Sequence, residues 1–357
     1  MAQAPSFVWN INPGRIVFGA GSVAQLGAEL AAAGRSRAMI LTTPFQKPAG
    51  EALAASLPGQ VAGVFAEAAM HTPVEVTERA MAAYADMGAD CTVALGGGST
   101  IGLGKAIALR NGAFQIVIAT TYAGSEVTNI LGETRDGQKT TMRGPEVLPE
   151  VVIYDPELTL TLPVAMSVTS GLNAIAHAVE GLYAQDRNPV MSLIALEGIR
   201  ALKEALPGIV AAPQDIGARG QALYGSWLCG TVLGTVGMAL HHKLCHTLGG
   251  SFDLPHAETH AVLVPHTAAY NETAAREELA PAADLFGGRL GPGLWEFAQS
   301  VGAPLTLREL GLKEADLDRA AEIAVRNPYW NPRPVEQGAI RALLGRAWAG
   351  ERPEQGE

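Results

Sequence analysis

The chain has 357 residues, 48% hydrophobic against 17% charged, a balance that excludes a disordered polymer and leaves room for two cores. A formal charge of -10 with no basic block argues against nucleic acid or an anionic membrane surface as partner. Its three cysteines, Cys91, Cys229 and Cys245, cannot all pair, no apolar run is long enough for a membrane span, and the first residues carry no basic-then-apolar leader, so a reduced, cytoplasmic setting is expected.

Apolar runs at Arg15–Phe18, Arg37–Leu41, Gln60–Phe65, Cys91–Leu95, Gln115–Ala119 and Val151–Tyr154 read as short strands buried on both faces. Segments between them, such as Pro73–Met87, carry apolar residues at helical spacing. Strands alternating with helices predict a parallel sheet covered on both faces, an α/β domain over residues 1–158. Its first stretch, Phe7–Phe18, reads as an edge strand that would pair across a homodimer. After Pro163 the β-branched runs stop, and an Ala- and Leu-rich pattern with period near 3.6 predicts an all-helical domain over 159–357, broken at Pro207, Pro213, Gly249 and Pro292.

Two glycine-rich segments compete to cradle a phosphate. Gly19-Ala-Gly21-Ser22-Val23-Ala24 follows a strand, yet Met39 to Phe45 offers no acidic residue to hold a ribose, and a turn with Ser22 capping the helix from Val23 to Ala33 explains it as well. Gly96-Gly97-Gly98-Ser99 ends an apolar strand and opens a helix over Ile101–Arg110. Three glycines there remove every Cβ that would keep backbone amides from a pyrophosphate, so anion binding is expected.

In the helical half, Asn173 and His177 stand four apart, as do His242 and His246, and each pair shares one helical face. His256 follows a turn built from Gly249, Gly250, Asp253 and Pro255. An Asp in place of Asn173 would complete, with His177, His242 and His256, a carboxylate-plus-three-histidine cage for a divalent metal, but Asn supplies only a neutral oxygen. The sequence thus predicts one shared pocket for Asn173, His177, His242, His246 and His256, with no metal bound. His71, His260 and His266 read as structural or surface residues.

Gly96–Ser99, the run Thr120-Thr121-Tyr122-Ala123-Gly124-Ser125-Glu126-Val127-Thr128, Gly171–His177 and the spacing of His242, His246 and His256 together resemble the iron-containing alcohol dehydrogenase superfamily, from about Phe7 to Asn331-Pro332-Arg333. Asn173, the Thr120–Glu126 run and Asn327–Arg333 are similar to its maleylacetate reductase branch. The resemblance implies a Rossmann-like dinucleotide-binding domain followed by an all-α catalytic domain, the fold shared with dehydroquinate synthase. It also implies reduction of maleylacetate to 3-oxoadipate, in the breakdown of aromatic compounds, by NADH or NADPH.

Cofactor contacts carried over by matching motif are Gly96, Gly97, Gly98, Ser99, Thr120, Thr121, Ser125 and, less directly, Lys139. The strand end at Thr43 lacks the acidic residue by which many relatives grip the ribose, so NADPH should be admitted too. Metal-dependent relatives often carry Asp where Gly102 stands. His242, His246 and their neighbours would stabilise the oxyanion and deliver a proton. Arg333, Lys243 and Tyr122 are candidate contacts for a dicarboxylate substrate, with Arg326, Arg135 and Arg143 behind them. The rival readings are a metal-dependent alcohol dehydrogenase, a dehydroquinate synthase-like lyase and a non-catalytic binding protein, the last opposed by the intact loop and histidines.

Overall fold

In the computed structural model the described residues are Asn12, 14–135 and 137–354, without the side chain of Lys139. They form two compact units that divide between Leu162 and Pro163. The first contains strands β1 (Arg15–Phe18), β2 (Ala38–Leu41), β3 (Val61–Phe65), β4 (Cys91–Gly96), β5 (Phe114–Ala119), β6 (Ile130–Arg135), β7 (Gln138–Arg143) and β8 (Val151–Tyr154). Its helices are α1 (Leu26–Ala32), α2 (Lys47–Ala55), α3 (Val74–Asp86) and α4 (Gly98–Asn111).

Six of these strands form a parallel sheet in the order β1-β8-β5-β4-β2-β3. Alternate residues of each strand face opposite sides, so Ala38 and Ile40 join a core with Leu26 and Leu30 of α1, while Met39 and Leu41 join one with Val76 and Ala80 of α3 and Leu103 and Ile107 of α4. The chain runs outward from β2 to β3, then crosses back to β4, which makes the β2/β4 boundary a topological switch point. Ligands of such sheets bind outside the carboxyl ends of the strands at that point. Here those ends carry Thr43 and Gly96–Ser99.

Two local expectations fail. Ser22 caps nothing: its hydroxyl donates to the Tyr154 carbonyl, a short 3-10 turn (Ser22–Gln25) precedes α1, and the amides of Gly21 and Val23 are taken by the Asp155 carboxylate at 3.1 and 3.0 Å. That loop is an anion site filled by the protein's own Asp155. The antiparallel hairpin β6–β7 was not expected, because its strands are mostly polar. The Asp136-Gly137 pair between them is the available signal, being a preferred hairpin turn sequence.

The second unit comprises α5 (Val164–Tyr183), α6 (Pro189–Ala211), α7 (Ile216–Thr235), α8 (Leu240–Phe252), α9 (His256–Glu272), α10 (Arg276–Leu285), α11 (Leu290–Ser300), α12 (Leu317–Val325) and α13 (Gln337–Ala349). Asn188 and Asp215 cap α6 and α7 through side-chain oxygens that accept from the first helical amides. Pro207 does not break α6, because Leu202, Ala205, Leu206 and Ile209 are buried on both sides of it and that burial outweighs one lost hydrogen bond. Gly249 and Gly250 likewise lie inside α8, which ends on left-handed Asp253, so the turn before His256 is only Asp253–Pro255. Pro292 sits in the first turn of α11, where no amide is needed. No single helix among the described residues is long and apolar enough to cross a membrane.

Candidate active site

In the first unit, α4 starts at Gly98, three residues earlier than its sequence suggests, and so aims the amides of Gly98 and Ser99 out of its N-terminus. A Cβ on Gly97 would lie 2.7 Å from Thr121, and one on Gly96 2.6 Å from Thr100 and 2.8 Å from Gln46, whereas one on Gly98 would meet nothing. The backbone is therefore packed from behind and bare in front. Gln46 ties the surrounding parts together, donating to the Thr120 hydroxyl at 3.2 Å and accepting from that of Thr43 at 3.2 Å. Gly102 has its own reason: Thr72, held at a left-handed φ of 47°, packs so close that a Cβ would meet its hydroxyl at 2.3 Å.

Behind the cradle lies Lys105, wholly buried. Its ammonium donates to the carbonyls of Ser125 and Thr128 at 2.7 Å, and to the Thr128 hydroxyl and the Ile130 carbonyl at 2.9 Å. It thus fixes the turn carrying Ser125. Burial pulls its pKa down to about 7, with Glu126 opposing that shift. Glu126 is itself buried and accepts from the Tyr154 hydroxyl at 2.8 Å. Tyr122, expected at the substrate, is fully buried and presents no ring outward. Lys139 falls on β7, opposite Thr134.

The second unit gathers the histidines. α5 supplies Asn173 and His177, α8 supplies His241, His242 and His246, and α9 supplies His256 and His260. Ring centroids of His177 and His242 are 5.1 Å apart, those of His242 and His246 6.1 Å, and those of His256 and His260 4.5 Å. His260, read from sequence as structural or surface, sits in the middle, 5.0 Å from His242 and 6.1 Å from His177. That reading fails on placement: one turn after His256, the same helical face carries His260 into the cluster. His71 is exposed in the first unit and His266 is buried, its pKa pushed down by desolvation to about 3.

Hydrogen-bond partners fix the protons. Thr267 donates to the Leu263 carbonyl, so its oxygen accepts from His241 Nδ1 at 3.0 Å, and His241 Nε2 must accept from His260 Nδ1 at 2.9 Å. His260 Nε2 is left as a lone pair. Glu180, buried on α5, accepts from the amides of Ala239 and His241 and, at 2.6 Å, from His242 Nδ1, which leaves His242 Nε2 as a second lone pair. Both nitrogens, together with His177 Nδ1 and Asn173 Oδ1, are buried without a hydrogen-bond partner. Desolvation, joined by the neighbouring imidazoles, holds His177, His241 and His260 well below the usual histidine pKa, so they stay neutral. His241, Cys245 and His260 also bring ligand atoms within 4.8 Å of one another, which the hydrogen-bonded chain from Thr267 already explains.

A loop after α12 covers this face. Tyr329 bonds His246 Nδ1 at 3.0 Å, and the Lys243 ammonium lies 5.7 Å from the centre of the Tyr329 ring. Arg333, expected to bind a carboxylate, stacks on Tyr270 at 4.0 Å and donates to its carbonyl at 3.1 Å, which makes it an anchor of the loop. Arg326 is exposed and pairs with Glu322. Arg135 and Arg143 lie on the β6–β7 hairpin of the other unit.

Residues 13–156 match the iron-containing alcohol dehydrogenase family, and 167–348 match the C-terminal part of that family. The chain belongs to the iron-containing alcohol dehydrogenase family. It is 66% identical over 348 residues to the maleylacetate reductase of Rhizobium sp., covering 98% of this chain and 99% of that protein, and 52% identical to the one from Burkholderia cepacia, covering 98% and 99%. The crystal structure of maleylacetate reductase from Agrobacterium tumefaciens superposes with a TM-score of 0.96 at 66% identity, covering 98% of this chain and all of that one.

An iron-containing alcohol dehydrogenase is an oxidoreductase working with a nicotinamide dinucleotide, and the bare amides at Gly97–Ser99 fit its pyrophosphate. The family name also implies a metal. Asn173 Oδ1, His242 Nε2 and His260 Nε2 offer lone pairs but no charge. The buried carboxylate beside them, Glu180, already accepts four hydrogen bonds, from Ala239, His241, His242 and the Tyr183 hydroxyl. The donor set falls short of a dication in charge.

Proposed function

We propose that this oxidoreductase reduces maleylacetate to 3-oxoadipate with NADH or NADPH and needs no metal. Full-length identity of 66% to the Rhizobium maleylacetate reductase carries the reading, and His246, exposed beside the buried histidines, gives it a proton donor. Bound NAD(P)H supplies a hydride. Adding it to the alkene carbon β to the ketone pushes the electron pair onto the ketone oxygen as a delocalised enolate, and a proton then completes the α carbon. Delocalisation lowers the demand for a Lewis acid. What remains is to donate to that oxygen and to supply the proton.

Exposed on α8, His246 turns Nδ1 to Tyr329, and Nε2 is the atom we assign to give a proton to the enolate. His242 is held in orientation through Nδ1 by Glu180, and with Nε2 as a lone pair it leaves the donation to His246. Lys243, one turn from His246 on the same helix, is the cation we assign to a substrate carboxylate, since Arg333 is engaged with Tyr270. With Thr43 rather than a carboxylate at the end of β2, the 2′-phosphate of NADPH meets no fixed negative charge. We further propose a homodimer, because β1 stands at an edge of the sheet among the described residues. The expected extension of that strand, Phe7 to Ile11, lies outside the described residues; a stable monomer at micromolar concentration in sedimentation velocity would remove the idea.

The deciding experiment is oxidation of NADH by maleylacetate after exhaustive chelation, with metal content measured on the same sample. Retained turnover at far less than one iron or zinc per subunit is expected. Loss of activity restored by added metal would overturn metal independence, and no turnover under any condition would overturn the substrate. The variant Asn173→Asp should raise affinity for zinc, read by direct binding, because the imidazoles are already in place.

A further inference from the structure

His246 projects from the exposed face of α8, and an exposed imidazole samples several rotamers unless something holds it. Tyr329 bonds its Nδ1 at 3.0 Å, and the Tyr329 and His242 rings lie against it with centroids 6.1 Å away. Tyr329 and Trp330 are 38% and 43% exposed, so burial does not hold that part of the loop in place. Its neighbours do. Asn327 turns the chain at a left-handed φ of 51°. Beyond Trp330, Asn331 and Asn271 exchange two amide hydrogen bonds at 2.7 and 2.9 Å, and Asn331 also donates to the Arg333 carbonyl at 2.6 Å.

Asn271, fully buried on α9, donates in turn to the Tyr183 hydroxyl at 3.1 Å, and that hydroxyl reaches Glu180 Oε1 at 3.5 Å. Glu180 is the carboxylate that holds His242. The path from His242 through Glu180, Tyr183, Asn271, Asn331 and Tyr329 therefore returns to His246, one helical turn from its start. Two imidazoles on one face of α8 are thus tied to one set of groups, by side chains from His242 to Asn331 and by the two backbone steps from Asn331 to Tyr329, His242 at the buried end and His246 at the exposed end.

We propose that Tyr329 is a positioning residue for His246, delivered by the Asn271–Asn331 pair acting as its latch. A hydroxyl suits the task because its oxygen accepts. It can accept from the Nδ1–H of an imidazolium and keep the same contact after Nε2 has lost its own proton, because Nδ1 keeps its hydrogen, so the ring need not turn during the reaction. This inference rests on the reading of His246 as proton donor.

The test is a double-mutant cycle on the full-length enzyme with maleylacetate and NADH. Tyr329→Phe keeps the ring beneath Lys243 and removes only the hydroxyl. It should lower kcat roughly tenfold, with the NADH Kd and the melting temperature unchanged. Combined with His246→Ala it should add nothing, because Tyr329 then has no imidazole to hold. Asn271→Ala should reproduce the loss seen with Tyr329→Phe. Unchanged kcat in Tyr329→Phe alongside a large loss in His246→Ala would overturn the proposal, as would losses that multiply in the double variant, which would mean Tyr329 acts on substrate directly. Unchanged turnover in His246→Ala would remove the proton-donor reading itself.

Discussion

The two units build recognition from opposite materials. At the cradle of α4 the protein works by leaving side chains out: glycines expose amides whose hydrogen-bonding capacity has no protonation state. In the helical unit it works by stacking side chains on side chains, Thr267 fixing His241, His241 fixing His260, and Glu180 fixing His242. Seven histidines lie there, and only His71, exposed, lies in the other unit. A backbone site is local and depends on a few positions, whereas an imidazole site inherits the tautomer of every partner behind it.

Acid should separate the units most strongly. His177, His241, His260 and His266 have folded-state pKa values depressed by burial, so below about pH 6.5 the unfolded chain binds protons that the folded one refuses. Stability is then lost as pH falls, by roughly 1.4 kcal/mol per pH unit for each group. Hydrogen exchange between pH 7 and 5 should show α8 and α9 losing protection before β4 and β5. Equal loss in both would erase the contrast.

Next come the chemical variants. His246→Ala should lower kcat by a factor on the order of 10² to 10³ with little change in the NADH Kd. Glu180→Gln puts an NH2 where an acceptor is needed, forcing either His242 to the wrong tautomer or a clash with the His241 amide, and should cost on the order of 10² in kcat at unchanged fold. Steady-state kinetics beside circular dichroism would check both.

At the cradle the effects should appear in binding instead. Gly97→Ala must push Thr121 aside and should weaken NADH roughly tenfold, measured by fluorescence titration, while saturating turnover changes little. Smallest is Thr43→Asp, which should depress use of NADPH several-fold relative to NADH. Equal loss with both cofactors would show that Thr43 does not face the ribose.

The sequence exposed the backbone site more completely than the imidazole site, for the same reason. Gly96–Ser99 is a contiguous signal, and the six parallel strands are apolar runs that period alone reveals. The hairpin β6–β7 escaped because it is polar, and α6 and α8 ran past Pro207 and Gly249 because burial overrode propensity. In the cluster, Asn173, His177 and His242 were visible by spacing. His260 and Glu180 were not, since their part depends on partners that only folding brings together, although Glu180 stands three residues after His177 on the same helix. Arg333 looked like a ligand because a lone arginine in a motif says nothing of the ring beneath it, here Tyr270.

Lys105 carries one more consequence. Four oxygens around its ammonium at 2.7 to 2.9 Å form the kind of shell that carbonyl cages offer to a potassium ion. With its pKa at about 7, a cation tethered to α4 answers to pH rather than to salt concentration, and it cannot diffuse away. The order of the Ser125–Ile130 turn should therefore be indifferent to the monovalent salt around the enzyme, and sodium or potassium should leave nucleotide affinity alike.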